Sequence, residues 1–285
     1  MRGRKYVNFT EEMLNRFLEY LQDEERSQAT MDKYARDVRR FLDYLGEDGI
    51  ADREKVRAYK QELREHYKIT SANSMLAAIN SFFVFAGRGD LKVKLFKVQK
   101  MLFCSPEKEM TQKDYEKLIQ EAREEKDMRM SMLLQTIGST GIRISELKYI
   151  TVEALDTGHA EIYNKGKSRV VLIPSKLERL LRKYCKKAGI VSGSIFVTRY
   201  GNPMDRSNIN KRMKQLGKAA GVALTKVFPH NLRHLFARSF YKVEKDVVCL
   251  MDLLGHSNIN TTRIYTASTE DQPRQQMARM KMVLG

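Results

Sequence analysis

The sequence predicts a mainly α-helical protein with one small β-sheet, arranged as an N-terminal helical bundle followed by an α+β domain. Three observations predict it. Apolar residues recur at spacings of three and four through most of the chain, the mark of amphipathic helices. One stretch, Ala160–Ile173, has the pattern of a β-hairpin. Between residues 91 and 109 helical stripes give way to alternating lysines and apolar residues, which separates 1–90 from 110–285.

In the first part, Thr10 is suited to cap a helix reaching about Glu25, with Met13, Phe17, Leu18 and Leu21 on one side. Thr30 begins a second, striped by Tyr34, Val38, Phe41, Leu42 and Leu45 and ended by Gly46. A weaker third covers Asp52 to Tyr67 through Val56, Tyr59 and Leu63; the fourth, Ser71–Ala86, is the most apolar. Four helices joined by short loops make a small bundle. The segment 91–109 then reads as an extended basic linker, and a solvated lysine face is the alternative.

In the second part, Thr111 and Asp114 form a capping-box pattern and start a helix. Met128–Gly141 and Ile144–Ile150 read as helices; Ala160–Asn164 and Val170–Ile173 are the strands of the hairpin, turning at Lys165-Gly166-Lys167. Ser175 and Glu178 form a second capping box on a helix ending near Gly189, and another helix spans Ser207–Ala220. Leu235–Tyr241 and Val247–Leu254 carry apolar stripes, and Gly255 suits a left-handed helix end. Past Pro273, the stretch Arg274–Leu284 is an amphipathic tail with Met277, Met280, Val283 and Leu284 on one side.

Charge points to the partner. Lys and Arg number 52 against 35 Asp and Glu, 52 − 35 = +17, an excess that repels itself unless a polyanion is bound. The basic residues are spread through helices and not gathered beside an apolar face, so nucleic acid ranks ahead of a membrane surface. No apolar run is long enough to span a bilayer, and the start MRGRKYVNF lacks a signal-peptide core. Cys104, Cys185 and Cys249 are odd in number and widely spaced, which suits reduced thiols in a cytoplasmic protein.

The chemistry concentrates between Pro229 and Tyr265. His230 and Arg233 share a helical face, and His256 and Tyr265 follow beyond the next helix. Upstream, Arg143 follows a glycine-broken helix in TGIRISEL, and Lys165 follows the first hairpin strand, with Lys167 and Arg169 within reach. Imidazoles, guanidiniums, an amine and a phenol are the groups that chemistry on a phosphate diester calls for.

This order, Arg…Lys…His-x-x-Arg…His…Tyr, resembles the tyrosine recombinase or phage integrase family, of its simple, Xer-like two-domain type. The local settings TGIRISEL, NKGKSR, IFVTRYGNP, PHNLRH and LLGHSNINTTRIY carry the resemblance, which spans the second domain. The bundle is similar to that family's SAM-like core-binding domain. The hairpin departs from the usual Gly-Lys-Gly-x-x-Lys: Asn164 replaces the first glycine and the turn is one residue shorter.

The resemblance implies a metal-free, cofactor-free and ATP-independent DNA strand transferase. Tyr265 would attack the scissile phosphate and form a 3′-phosphotyrosyl bond; Arg143 and Arg233 would hold the non-bridging oxygens. Lys165 would protonate the departing 5′-oxygen, His230 would assist proton transfer at the tyrosine, and His256 would hydrogen-bond the phosphate. Glu146 would orient Arg143. The expected partner is a specific double-stranded DNA site, bound by a dimer on one duplex and a homo-tetramer on two. Strands would exchange through a Holliday junction in integration, excision, inversion or resolution, on the nucleoid in the cytoplasm.

Phosphate contacts along the duplex are expected from Arg36, Arg39 and Arg40 on the second helix, from Lys92, Lys94, Lys97 and Lys100 on the linker, and from Lys167 and Arg169. No arm-binding domain is expected before residue 10, and the terminal helix is expected to dock on a neighbouring protomer. The rival readings are an enzyme that relaxes DNA or resolves its ends without exchange, and a catalytically silent DNA-binding regulator.

Overall fold

The computed structural model describes residues 7–98, 106–164, 167–255 and 262. The chain divides into two compact units, Met1–Lys100 and Met101–Gly285.

The first unit is four helices: α1 Glu11–Asp23, α2 Gln28–Leu45, α3 Arg53–His66 and α4 Ile69–Phe85. Thr10 caps α1 by accepting from the Met13 amide, and Asp52 caps α3 by accepting from those of Glu54 and Lys55. The second helix starts earlier than Thr30, after Ser27, whose hydroxyl bonds to that of Thr30 at 2.9 Å. The apolar stripes meet in one core where Phe9, Phe17, Phe41, Phe82 and Phe83 pack in tilted and edge-to-face pairs. Each such ring contributes about 1.5–3 kcal/mol on leaving water.

The segment after α4 is held more firmly than a linker of alternating lysines suggests. Leu91 is buried, and Asn80 brackets Val93 by donating to its carbonyl (2.8 Å) and accepting from its amide (3.0 Å). Asn73, one heptad earlier on the same face of α4, brackets Phe96 in the same way at 2.9 and 2.7 Å. Val93 and Phe96 thereby pack on the core, while Lys92, Lys94 and Lys97 stay exposed.

The second unit comprises α5 Gln112–Glu124, α6 Met128–Thr140, α7 Val152–Thr157, β1 His159–Asn164, β2 Lys167–Leu172, α8 Ser175–Ala188, α9 Arg206–Ala219, α10 Pro229–Glu244 and α11 Val247–Leu254. The Thr111–Asp114 capping box forms as read, with both reciprocal bonds made. Ser175 does not act as a cap. Pro174 holds the cap position without a side-chain bond, and Glu178 instead accepts from Arg182. Residues Ile144–Tyr149 form a 3₁₀ turn and not an α-helix.

Buried along nearly its whole length, α6 is the axis of this unit, with α5, α8 and α10 packed around it. Gly138 permits this: a Cβ there would lie 2.7 Å from the Tyr115 ring of α5. The hairpin is antiparallel, Ile162 opposite Arg169 and Asn164 opposite Lys167, so its turn is two residues. Ala160, Ile162 and Val171 face the core; Tyr163, Val170 and Leu172 face solvent. Cys185 is buried and Cys249 exposed, both free; Cys104 lies outside the described residues. No helix among the described residues is long and apolar enough to cross a membrane.

Candidate active site and its arginine cluster

Helix α6 ends at Gly141, which takes the left-handed conformation (φ +64°). A Cβ there would sit 2.4 Å from the Phe236 ring, so only glycine fits the turn. The chain leaves this turn with Arg143 pointed along the surface and begins the 3₁₀ turn that brings Glu146 back beneath it. Glu146, only 2% exposed, accepts from the Arg143 backbone amide and from its Nη1, both at 2.9 Å.

From α10 comes Arg233, 1% exposed, with Pro229 opening the helix in the first turn where its missing N–H costs nothing. Its Nη1 donates to the Gly141 carbonyl at 2.5 Å and its Nη2 to the Leu254 carbonyl at 2.6 Å. Arg143 Nη2 donates to the next carbonyl, Gly255, at 3.2 Å. Two guanidiniums from distant parts of the sequence therefore converge on the last carbonyls of α11, the negative end of that helix. Asn231, between His230 and Arg233 in sequence, is buried and ties α10 to the Lys108 and Lys226 carbonyls.

A cleft of about 240 Å³ opens beside them, lined by Arg143, Ser145, Arg206, Asn210, His230 and Arg233 among others. His230 is exposed at its rim, with its ring edge-on to His234 at 4.5 Å. Partial desolvation against the cleft wall, then the Arg233, Arg143 and Arg206 charges, hold the His230 imidazole below its ordinary pKa. It is therefore neutral at pH 7 and able to accept a proton.

For Glu146 the balance runs the other way. Burial pushes its carboxyl up, yet the hydrogen bonds and charges of Arg169 and Arg143 together outweigh this and hold it below the usual carboxylate range. It stays ionised. Arg143 and Arg169 pair with this one carboxylate while Arg233 bears on the neighbouring carbonyls of Gly141 and Leu254, 3 − 1 = +2 among these four groups.

The structure thus brings together Arg143, Glu146, His230 and Arg233. Lys165, His256 and Tyr265 lie outside the described residues, as do Lys100, the side chain of Lys167 and the tail residues Met277, Met280, Val283 and Leu284.

Arg169, expected at the DNA surface, does not stand there. Its side chain, 14% exposed, turns inward, donating through Nη2 to Glu146 (2.5 Å) and through Nη1 to the Leu253 carbonyl (2.9 Å). The physical reason is strand parity: 169 shares a face with the core residue Val171. Arg36, Arg39 and Arg40 are exposed on α2 beside a groove shared with α4. Arg39 is paired with Glu11 at 2.5 Å, and Arg40 lies over the Tyr67 ring at 5.0 Å.

Arg206 and Asn210, one turn apart on α9, escaped the sequence reading although both line the cleft. Asn210 Oδ1 is buried without a hydrogen-bond partner. Their signal was present only as the i, i+4 spacing on a helix capped by Asp205.

A fold of helical bundle plus α+β unit, with paired guanidiniums and a neutral imidazole around a cleft, defines a class: enzymes that act on a phosphate diester. The comparisons narrow it. Residues 108–272 match the phage integrase family, and residues 14–89 match the phage integrase N-terminal SAM-like domain. The tyrosine recombinase XerA of Thermococcus kodakarensis is 29% identical over 279 residues, covering 95% of this chain and 96% of that one.

Among solved structures, a XerA recombinase is 25% identical with a TM-score of 0.53, covering 97% of this chain and all of that one. A XerH site-specific recombinase bound to a palindromic difH substrate after cleavage shares the fold, with a TM-score of 0.72 at 17% identity over 94% of this chain and 84% of that one. The chain belongs to the phage integrase family, and its activity is tyrosine-dependent site-specific recombination.

Proposed function

We propose that this chain cleaves and rejoins double-stranded DNA at a specific site through Tyr265. The observation that carries this reading is the convergence of Arg143 and Arg233 on adjacent carbonyls at the end of α11, beside a neutral His230. Two planar forks set this way suit the two non-bridging oxygens of one phosphate diester, and both stay charged throughout.

In the forward step the Tyr265 oxygen bonds to phosphorus as the bond from phosphorus to the 5′-oxygen breaks. The phenol proton passes to His230 as base, and the 5′-oxygen leaves with a proton from Lys165. The products are a 3′-phosphotyrosyl bond and a free 5′-hydroxyl. His256 donates to the phosphate as charge builds. The diester carries one negative charge and the five-coordinate transition state two, so a surplus of +2 favours the second over the first. Glu146 holds Arg143 in place. Because the bond energy is kept in the phosphotyrosine, a 5′-hydroxyl from another strand reverses the step without ATP.

Two protomers bind one duplex and four bind two, passing strands through a Holliday junction in the cytoplasm, at the nucleoid. Residues 1–90 and 110–285 both contact the duplex, with Arg36, Arg39, Arg40, Lys92, Lys94, Lys97, Lys100 and Lys167 on its phosphates. The tail helix docks on a neighbouring protomer. Binding selection from a random DNA library identifies the preferred site, from which a nicked duplex is built to trap the covalent complex. Wild type gives a protein–DNA band and Tyr265→Phe gives none; a band with the phenylalanine variant removes Tyr265 from the mechanism. Deleting the residues after Asp271 preserves cleavage on one duplex and abolishes tetramers, and intact tetramers would refute the docked tail.

A further inference from the structure

We propose that Arg169 is a positioning residue for strand cleavage, setting Arg143 through Glu146 and fixing the end of α11 on which Arg143 and Arg233 both bear. The proposal rests on the assignment of that arginine pair to the phosphate.

Three separate features of the structure support it. The first is the split of the guanidinium fork. One arm reaches Glu146 Oε2, the oxygen that also receives the Arg143 backbone amide, and the other reaches the Leu253 carbonyl. One side chain on β2 thus joins the Arg143 turn to the last turn of α11. A lysine has a single charged point and cannot span both.

The second feature is the shape of position 255. A Cβ there would lie 2.3 Å from Arg169 Cδ, and the residue sits at φ +62°. The backbone of the α11 terminus passes so close to the Arg169 stem that no side chain fits between them. The third is cost. Arg169 Nε is buried without a hydrogen-bond partner, an arrangement that a side chain serving only its own solvation has no reason to keep.

The consequence follows from electrostatics. With Arg169 in place, the buried Glu146 divides its charge between two cations, and Arg143 keeps part of its guanidinium for another anion. Without Arg169 the carboxylate has Arg143 as its one remaining ion-pair partner among the described residues and draws it away from the cleft. The end of α11 loses one of its three guanidinium ties at the same time. Binding of the duplex along its length is untouched, because Arg169 faces inward.

The test separates affinity from chemistry. Arg169→Met and Arg169→Lys are compared with wild type on the selected nicked duplex, measuring the dissociation constant and the single-turnover rate of covalent complex formation. Affinity is expected to stay within about twofold while cleavage slows about 10- to 100-fold, less for lysine than for methionine, as when a residue behind a charged ligand is removed. If Arg169→Met does not fold, Arg169→Lys, which keeps the buried charge, decides the matter.

Cleavage unchanged in the lysine variant overturns the proposal, and so does affinity that falls in step with cleavage, which would make Arg169 a DNA contact. A cycle with Glu146→Gln adds a second reading: the double variant is expected to be no slower than the worse single one, and effects that multiply overturn the proposal. Arg143→Ala serves as control. If it cleaves normally, the phosphate assignment itself is wrong; if it is inactive while the Arg169 variants are normal, only the present inference fails.

Discussion

Arg233 donates to the carbonyl of Gly141 at 2.5 Å across 92 positions of sequence, so the glycine that ends α6 is also a socket for a candidate phosphate-binding arginine. Helix termination and site assembly are one event here. The left-handed turn frees the Gly141 carbonyl from α6, aims it at α10, and sends Arg143 out on the other side.

Substituting that glycine tests the coupling. Gly141→Ala places a Cβ 2.4 Å from the Phe236 ring at a backbone angle that disfavours L-residues. The strain and overpacking together cost about 2–5 kcal/mol, read as a shift in the denaturation midpoint. Cleavage at a temperature where the variant remains folded falls as well, since the Arg233 socket moves. A variant within 1 kcal/mol of wild type would show that α6 ends some other way in solution.

Within the first unit, the Tyr59 hydroxyl is buried without a hydrogen-bond partner, and burial pushes its phenol well above the ordinary value. Tyr59→Phe removes an unsatisfied polar group and keeps the ring contacts with Phe41 and Tyr44. Stability is expected to rise by about 1 kcal/mol. Equilibrium urea unfolding is the measurement, and a clear loss would mean that the hydroxyl has a partner after all.

The cleavage rate is expected to fall on the acid side because of His230. Partial desolvation and the charges of Arg233, Arg143 and Arg206 lower its pKa, so the ring is neutral at pH 7. As pH drops through that lowered value the ring takes a proton and no longer accepts one from the tyrosine. Removing a neighbouring cation raises the His230 pKa, so Arg206→Gln moves the acid limb of the profile toward higher pH. A limb that stays in place, or moves to lower pH, rules His230 out as the group responsible.

Much of this was legible in the sequence, and the gaps have physical causes. The four stripes of the bundle, the cap at Thr10 and the capping box at Thr111 are local signals, and the helices form where they lie, α2 beginning two residues before Thr30. TGIR marks a helix end and PHNLR a first turn, and α6 ends and α10 begins at those places because both signals are set by nearby residues.

The charge of Arg169 suggests the surface, but strand parity decides its face. Counting back by two from Ile173 and Val171 would have put it on the buried face. Ser175 has the pattern of a cap, but the proline before it already fixes the entry to α8. Arg206 and Asn210 carry only an i, i+4 spacing as a local mark, and they matter because the fold brings them to the cleft that His230 and Arg233 also line.

The segment after α4 gives the last prediction. Read from sequence as an extended linker of alternating lysines, it is pinned by two asparagines that each satisfy both a backbone N–H and a C=O, of Val93 and Phe96. Spacing of seven on α4 matches a strand advancing three residues, because a helix rises about 1.5 Å per residue and an extended chain about 3.3 Å. Removing one clamp leaves two backbone groups to find water, and the partial burial of Val93 and Phe96 resists that. Asn73→Ala together with Asn80→Ala is expected to cost about 1–3 kcal/mol and to expose Lys92, Lys94 and Lys97 to trypsin under native conditions. Cleavage of wild type at those lysines should be slower by at least the ratio that this free energy sets, on the order of tenfold. Equal trypsin rates in the two proteins would show that the packing of Val93 and Phe96 holds the segment without the asparagines.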